Sequence, residues 1–304
     1  MSVTKGMFIM MKELRGTFSV LVTPMMTNGE VDEEGLKKNI DWQIEKGIAG
    51  LCILGSTGEM SSLTKAERIH LTKSMVGYIN GRVACVVGTG SETTKEAIEY
   101  TQCAKECGAD GALVLGPWYA KLAPNEILKH YQDISDQVDL PIMIYNIPGA
   151  SGTDIKPDLI AKLADFTNVK YVKDASGDLG RVREIKRLCG DKIVVFNGNE
   201  NLAFEAYLAG AMGWICVIGN IVPDMSQKLF DLVQDKKFEQ ALTLFEKMLP
   251  LLNFIELSGK LVQVTKAAMM KIGLAAGPCR LPRLPLNSEE DKFLDGLLKD
   301  LGVL

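Results

Sequence analysis

The sequence predicts a (β/α)8 TIM barrel with a C-terminal helical appendage, and three observations carry that prediction. Short runs rich in Val, Ile and Leu recur along the chain, each ending in Gly, Pro or Asn and each followed by a stretch of helical period. Taking Pro24, Gly55, Gly88, Gly116, Tyr145, Lys173, Gly198 and Gly219 as strand ends, successive strands lie 31, 33, 28, 29, 28, 25 and 21 residues apart, a spacing that suits βα units. Beyond residue 223 the strands cease and the pattern becomes helical apart from one proline-rich stretch.

In order, the strands are expected at Thr17 to Val22, Gly50 to Leu54, Val83 to Val87, Ala112 to Leu115, Pro141 to Tyr145, Lys170 to Lys173, Ile193 to Asn197 and Trp214 to Ile218. Helices between them begin at recognisable caps: Asp32, Thr64 and Asp178, each followed by an apolar stripe that can cover a barrel from outside. The expected division is a barrel over residues 1–223 and a helical region over 224–304. Its helices fall near Met225 to Gln234, Phe238 to Phe254, Glu256 to Leu274 and Ser288 to Leu301. The proline-rich stretch Gly277 to Pro285 between the last two cannot itself be helical.

A doubly wound open sheet is the rival, because βαβ alternation alone does not show closure. Eight units without a long interruption favour the barrel. The one glycine-rich phosphate candidate, Gly88-Thr89-Gly90, lacks a third glycine and follows the third strand, which argues against a Rossmann cofactor.

Composition narrows the function. Apolar residues make up 47% and charged residues 24% of the 304, enough for a large core in a soluble globular protein. Thirty-four Lys and Arg against 38 Asp and Glu leave a net charge of -4, without the basic excess of a nucleic-acid binder. The uncharged run Ala206 to Val222 holds three glycines and an asparagine and is too short to span a bilayer. The N-terminal stretch before Thr17 reads as a ragged start without a signal peptide. Seven cysteines (52, 85, 103, 107, 189, 216 and 279) form no CxxC pair and read as reduced cytosolic thiols. Cys103 and Cys107 stand at i,i+4, but His70 and His130 are far off in polar helical patterns, so no metal site is expected.

In a barrel of this kind, chemistry sits at the carboxyl ends of strands. Three such ends stand out: Gly55-Ser-Thr-Gly-Glu59, Tyr145-Asn-Ile-Pro148 and Val172-Lys-Asp-Ala-Ser-Gly177. Period-2 alternation puts Val169, Tyr171 and Lys173 on one face, the barrel interior. There, burial disfavours the ammonium over the neutral amine, the form that attacks a ketone to give a Schiff base. A register shifted by one would instead make Lys173 a solvated residue or a salt-bridge partner of Asp174. Tyr145, beside it, is either a proton relay or a core tyrosine. The GSTG turn offers N–H groups for a carboxylate, with Thr57 as a hydroxyl partner, or is simply a tight turn.

Together these segments resemble the dihydrodipicolinate synthase and N-acetylneuraminate lyase family of pyruvate-dependent class I aldolases. GSTGE, GTG at strand three, Pro117-Trp118-Tyr119 at strand four, YNIP and VKDASGD follow in the family's order. The resemblance implies a pyruvate Schiff base on Lys173, proton shuttling by Tyr145 continued by Thr57 and Tyr119, and a carboxylate held by Ser56 and Thr57. Gly198, Glu200 and Val217 would fall at substrate-binding positions. Tyr119 would enter a neighbouring subunit's site, implying a homo-oligomer such as a tetramer of tight dimers. The implied partners are a 2-oxo acid and an aldehyde, with no metal or organic cofactor.

The sequence departs from both branches of that family. Ala150 stands where the synthases carry an arginine that clamps the aldehyde's carboxylate. In Asn197-Gly-Asn-Glu-Asn201, Glu200 and Asn201 match the hydroxyl-binding pair of the sialic-acid lyases only in part, and helix capping is the competing role; Val217 replaces a serine. Glu92 and Trp118 differ from the lysine-inhibition site, so lysine feedback is not expected. Three functions remain: a Schiff-base aldolase or synthase, a Schiff-base dehydratase or deaminase, and a non-catalytic carboxylate-binding barrel.

Overall fold

The computed structural model describes residues 13–304; residues 1–12, most of the N-terminal stretch discussed above, lie outside them. Eight parallel strands close into a barrel in chain order. They are β1 (Gly16–Val20), β2 (Gly50–Ile53), β3 (Ala84–Gly88), β4 (Gly111–Leu115), β5 (Ile142–Asn146), β6 (Val169–Asp174), β7 (Val194–Asn197) and β8 (Gly213–Cys216). Lys170 is their one exposed residue. Parallel strands covered on both faces read as continuous apolar runs, which is why they were visible as such.

Two apolar layers result. Inside the barrel, Phe18 and Phe196 meet edge to face at 5.5 Å and Tyr171 and Phe196 at 6.1 Å. The Tyr171 hydroxyl accepts from the Leu14 N–H at 3.1 Å and so ties the incoming chain to the inner layer. Outside, the strands' other faces pack on helices.

Two expected strand features need correction. The β5–β6 register steps from Ile142↔Val169 to Met143↔Tyr171, so Lys170 is an extra residue. Val169 therefore joins the outer layer instead of sharing the inner face with Tyr171 and Lys173. The last strand does not run to Ile218; it stops at Cys216, and Ile218–Asn220 turn as a 3-10 helix. Asn220 drives the turn, its amide donating to the Val20 and Val217 carbonyls at 2.7 and 2.9 Å.

The covering helices are α1 (Glu33–Glu45), α2 (Lys65–Ile79), α3 (Thr94–Glu106), α4 (Pro124–Gln137), the single turn α5 (Pro148–Ser151), α6 (Pro157–Leu163), α7 (Gly180–Cys189) and α8 (Ala203–Ala209). Asp32 and Thr64 cap α1 and α2, Thr64 within a capping box with Glu67. Asp178 lies one residue further out than expected: Leu179 takes the cap position, and the Asp178 carboxylate accepts from Gly180 N–H at 2.9 Å.

Four helices follow: α9 (Pro223–Gln234), α10 (Phe238–Leu257), α11 (Leu261–Lys271) and α12 (Ser288–Leu301). α9 lies against β1, where Thr17 donates from its N–H to Gln227 and from its hydroxyl to the Ser226 carbonyl, both at 3.0 Å. It completes the ring of barrel helices, although the sequence boundary at 224 groups it with the tail. The third tail helix was expected from Glu256 to Leu274. In the structure α10 continues through Glu256, and the break comes at Gly259, whose φ of +70° suits a glycine. Among the described residues no helix is long and apolar enough to cross a membrane.

Candidate active site

Lys173 lies one residue from the end of β6, in register with Tyr145 on β5 and Phe196 on β7. Both partners belong to the inner layer, so Lys173 points into the barrel. It is only 6% exposed, with its Nζ 4.2 Å from the centroid of the Tyr145 ring. Burial pushes the Cys52 thiol up to about 12 and the Cys216 thiol well up. Both thiols remain protonated at neutral pH.

Asp174 does not pair with Lys173, which removes the shifted-register alternative. The next residue on a strand faces the other way. Its carboxylate accepts from the Asn146 amide and the Ser176 hydroxyl, each at 2.7 Å, and burial raises its pKa against those two bonds. Asn146 in turn accepts from the Ile155 N–H at 2.9 Å. Arg181 grips Asp154 with bonds of 2.6 and 2.9 Å, lowering the Asp154 pKa. This network locks the ends of β5 and β6 from outside the barrel. The sequence motifs contain every member of its core, Asn146, Asp174 and Ser176, yet motif reading gave Asn146 and Ser176 no role and weighed Asp174 only as a partner of Lys173.

Across the mouth, the turn after β2 presents an exposed Ser56 and a buried Thr57. The Thr23 hydroxyl donates to the Gly58 carbonyl at 2.7 Å and pins the turn to the end of β1. Gly198, after β7, packs directly on the lysine: a Cβ there would lie 2.9 Å from Lys173 Cε. Only glycine leaves that side chain its place.

Glu200 does not cap its own helix. Instead it is buried, accepting from the N–H groups of Val217 and Ile218 at 2.7 and 3.0 Å. Burial raises its pKa to about 8, opposed by those two amides. Val217 thus enters the site through its backbone, as the residue Glu200 holds. Asn201 is bonded to Asn253 of α10 at 2.9 Å. A neighbour that sequence reading missed, Glu256 on α10, accepts from Glu200 N–H at 2.8 Å and Asn199 at 3.0 Å.

Tyr119 stands apart from this group at 91% exposure, on the loop after β4. Glu92 holds that loop by accepting from the N–H groups of Trp118 and Tyr119 at 3.2 and 3.1 Å. His130 is buried, not part of a polar face as its surroundings suggested. It lies edge to face with Tyr131 and 2.9 Å from the Thr94 hydroxyl, and burial brings its pKa down to about 4. No group of three or more His, Cys, Asp or Glu that would suit a metal occurs among the described residues.

Three comparisons bear on this site. The sequence profile of the dihydrodipicolinate synthetase family matches residues 13–301. Proteins named 4-hydroxy-tetrahydrodipicolinate synthase from Psychrobacter and Pelobacter propionicus are 38% and 36% identical to the chain. The first match covers 96% of both chains, the second 95% of this chain and 99% of the relative. A synthase from Acinetobacter baumannii, described as chloride inhibited and solved with pyruvate, superposes with a TM-score of 0.91 at 35% identity, over 96% of this chain and all of that one. A protein described as a dihydrodipicolinate synthetase from Pseudomonas aeruginosa gives 0.92 at 33%, over 95% and 100%.

Proposed function

The chain belongs to the dihydrodipicolinate synthetase family and is an enzyme of lyase type, and from that premise we propose that it acts on pyruvate or a closely related 2-oxo acid through an imine to Lys173. The observation that carries this reading is the buried amine of Lys173, facing the barrel interior against the Tyr145 ring at 4.2 Å.

The neutral amine adds to the C2 ketone, and the carbinolamine loses water to give a protonated imine. That imine is the electron sink, so the chemistry needs no organic cofactor. A C3 proton then leaves and the enamine attacks an aldehyde; the reverse sequence cleaves a 2-oxo-4-hydroxy acid. Water releases product from the lysine. Tyr145 moves protons at the imine, with Thr57 and a neighbouring copy's Tyr119 continuing the relay. Ser56, Thr57 and the turn's N–H groups hold the carboxylate, Gly198 borders the lysine, and Glu200 and Val217 line the substrate beyond it.

The exposed Ala150 on α5 supplies no cation where the synthases have arginine. That favours a hydroxy-oxo acid or deoxy sugar acid aldolase; the names of the relatives favour the synthase. Borohydride with pyruvate should leave a mass adduct on Lys173, and no adduct would sink the imine reading. Aldehyde release from a panel of 2-oxo-3-deoxy acids, set against condensation with aspartate semialdehyde, decides between the two, and dehydration releases no aldehyde. Ala150→Arg should raise the condensation rate.

The exposure of Tyr119 supports an assembly in which it enters a second copy, as a tetramer of tight dimers, measurable by light scattering. Seven free thiols fit a reducing compartment such as the cytoplasm.

A further inference from the structure

The turn that would grip the carboxylate is held by the far end of the chain. Leu54 enters it at φ 57°, and Glu59 leaves it at φ 57°, ψ 34°, both in the left-handed region. Non-glycine residues occupy that region at a cost, and the strain persists only where surrounding contacts over-determine it. For Glu59 those contacts come from α11 and the strap that follows.

The Glu59 carboxylate is completely buried, its Oε1 2.6 Å from the Nζ of Lys266 on α11, which is buried with it. Its Oε2 accepts from the Arg280 N–H at 2.9 Å. Lys266 also donates to the Pro278 carbonyl at 2.9 Å. The Arg280 guanidinium donates to the Ser62 and Gly29 carbonyls, each at 2.9 Å, and pairs with Glu67, which it holds down at about 2. Gly277 opens the strap at φ +64°, where a Cβ would lie 1.8 Å from the Met25 carbonyl oxygen, so the strap sits directly on the β1–α1 loop.

A buried pair of full charges adds little net stability, because desolvation offsets the attraction, and an apolar pair of equal volume often does better. What these charges supply is position. The Lys266 ammonium pairs with one oxygen of the carboxylate without an aligned hydrogen bond, the Arg280 N–H donates to the other, and the Arg283 guanidinium stands 3.8 Å from that second oxygen; together they fix the Glu59 backbone, and through it the N–H groups of Ser56, Thr57 and Gly58. We propose that Glu59, Lys266 and Arg280 are positioning residues for the substrate carboxylate, acting through the turn and touching no reacting atom. This rests on the pyruvate reading above.

The test follows borohydride-trapped adduct on Lys173 against pyruvate concentration in the full-length chain. Lys266→Met and Glu59→Gln/Lys266→Met should each raise the half-saturating pyruvate roughly tenfold and leave the maximal trapping rate within about twofold, the signature of lost binding without lost chemistry. Lys271→Ala, which frees α11 from Asp291 and Asp295 of α12, should lower the melting temperature with half-saturation unmoved. An unshifted half-saturation in the Lys266 variants, or an equal shift in Lys271→Ala, overturns the proposal. Hydrogen exchange in the unaltered protein covers variants that fail to fold: pyruvate should protect peptides from the β2 turn and from the strap together, and protection of the turn alone overturns the coupling. No adduct in the unaltered protein overturns the pyruvate reading and this role with it; an adduct with unshifted half-saturation overturns this role alone.

Discussion

The two sides of the barrel mouth are held by different means. On one side, Tyr145 and Lys173 are register partners on adjacent strands, and the Asn146–Asp174 bond joins the same two strands one residue later. By contrast, the GSTGE turn across the mouth is held by Lys266 on α11, and the Asn197–Asn201 loop, which follows β7 beside the lysine, is held by Glu256 on α10 as well as by the Gly198 N–H bonded to the Asp174 carbonyl. The groups proposed to make and break bonds sit on a rigid sheet. The groups proposed to grip substrate depend on helices added outside it.

Substitutions on the two sides should therefore differ in kind. Lys173→Ala should abolish the borohydride adduct; an adduct that persists elsewhere at full yield breaks the comparison at its root. Tyr145→Phe should slow trapping by about 10²- to 10⁴-fold, the range for a lost proton-transfer group, with half-saturating pyruvate little changed. A shift confined to half-saturation would move Tyr145 to the gripping side.

Stability against pH reads the second side. Glu200 titrates near 8 in the folded chain against an ordinary 4.5, so between those values the native state keeps a proton that the unfolded state has lost. Stability should fall as pH rises from about 4.5 to about 8 and level off above. Glu200→Gln should flatten that part of the curve in thermal melts from pH 5 to 9; an identical slope would show that Glu200 is not the group responsible.

Two smaller effects sharpen the contrast. Asn146→Ala leaves buried Asp174 short of a partner and should cost about 2 kcal/mol in denaturant unfolding while lowering the maximal trapping rate. Glu256→Ala removes bonds from a partly exposed carboxylate and should cost about 1 kcal/mol, with its functional effect on substrate affinity. A maximal rate lowered by Glu256→Ala and spared by Asn146→Ala would reverse the assignment of the two sides.

Strand order, spacing and the inward aim of Lys173 were legible because they follow from local periodicity. Val169 was misplaced because a bulge breaks period 2 without any marker residue: Lys170 is no glycine. The α10–α11 break was misplaced because the helix runs on past Ile255, its last buried residue, to Leu257 before Ser258, Gly259 and Lys260 end it. The ion pair between Glu59 and Lys266 was invisible for another reason. A glutamate in a turn and a lysine in a helix read as solvated groups, and only the closed barrel brings them together out of water. Glu200 misled in the same way, its partners being backbone N–H groups that no side-chain pattern announces.

The ion pair also sets an order of events during synthesis. A chain leaves the ribosome from its N-terminus, so β2 and its turn emerge well before α11. Until Lys266 arrives, Glu59 keeps its carboxylate in water and the Thr23 bond to Gly58 is left to restrain the turn. A nascent chain can thus pair β5 with β6, and with them Tyr145 with Lys173, before Glu59 is fixed, so the grip proposed for the turn is complete only once the tail has docked.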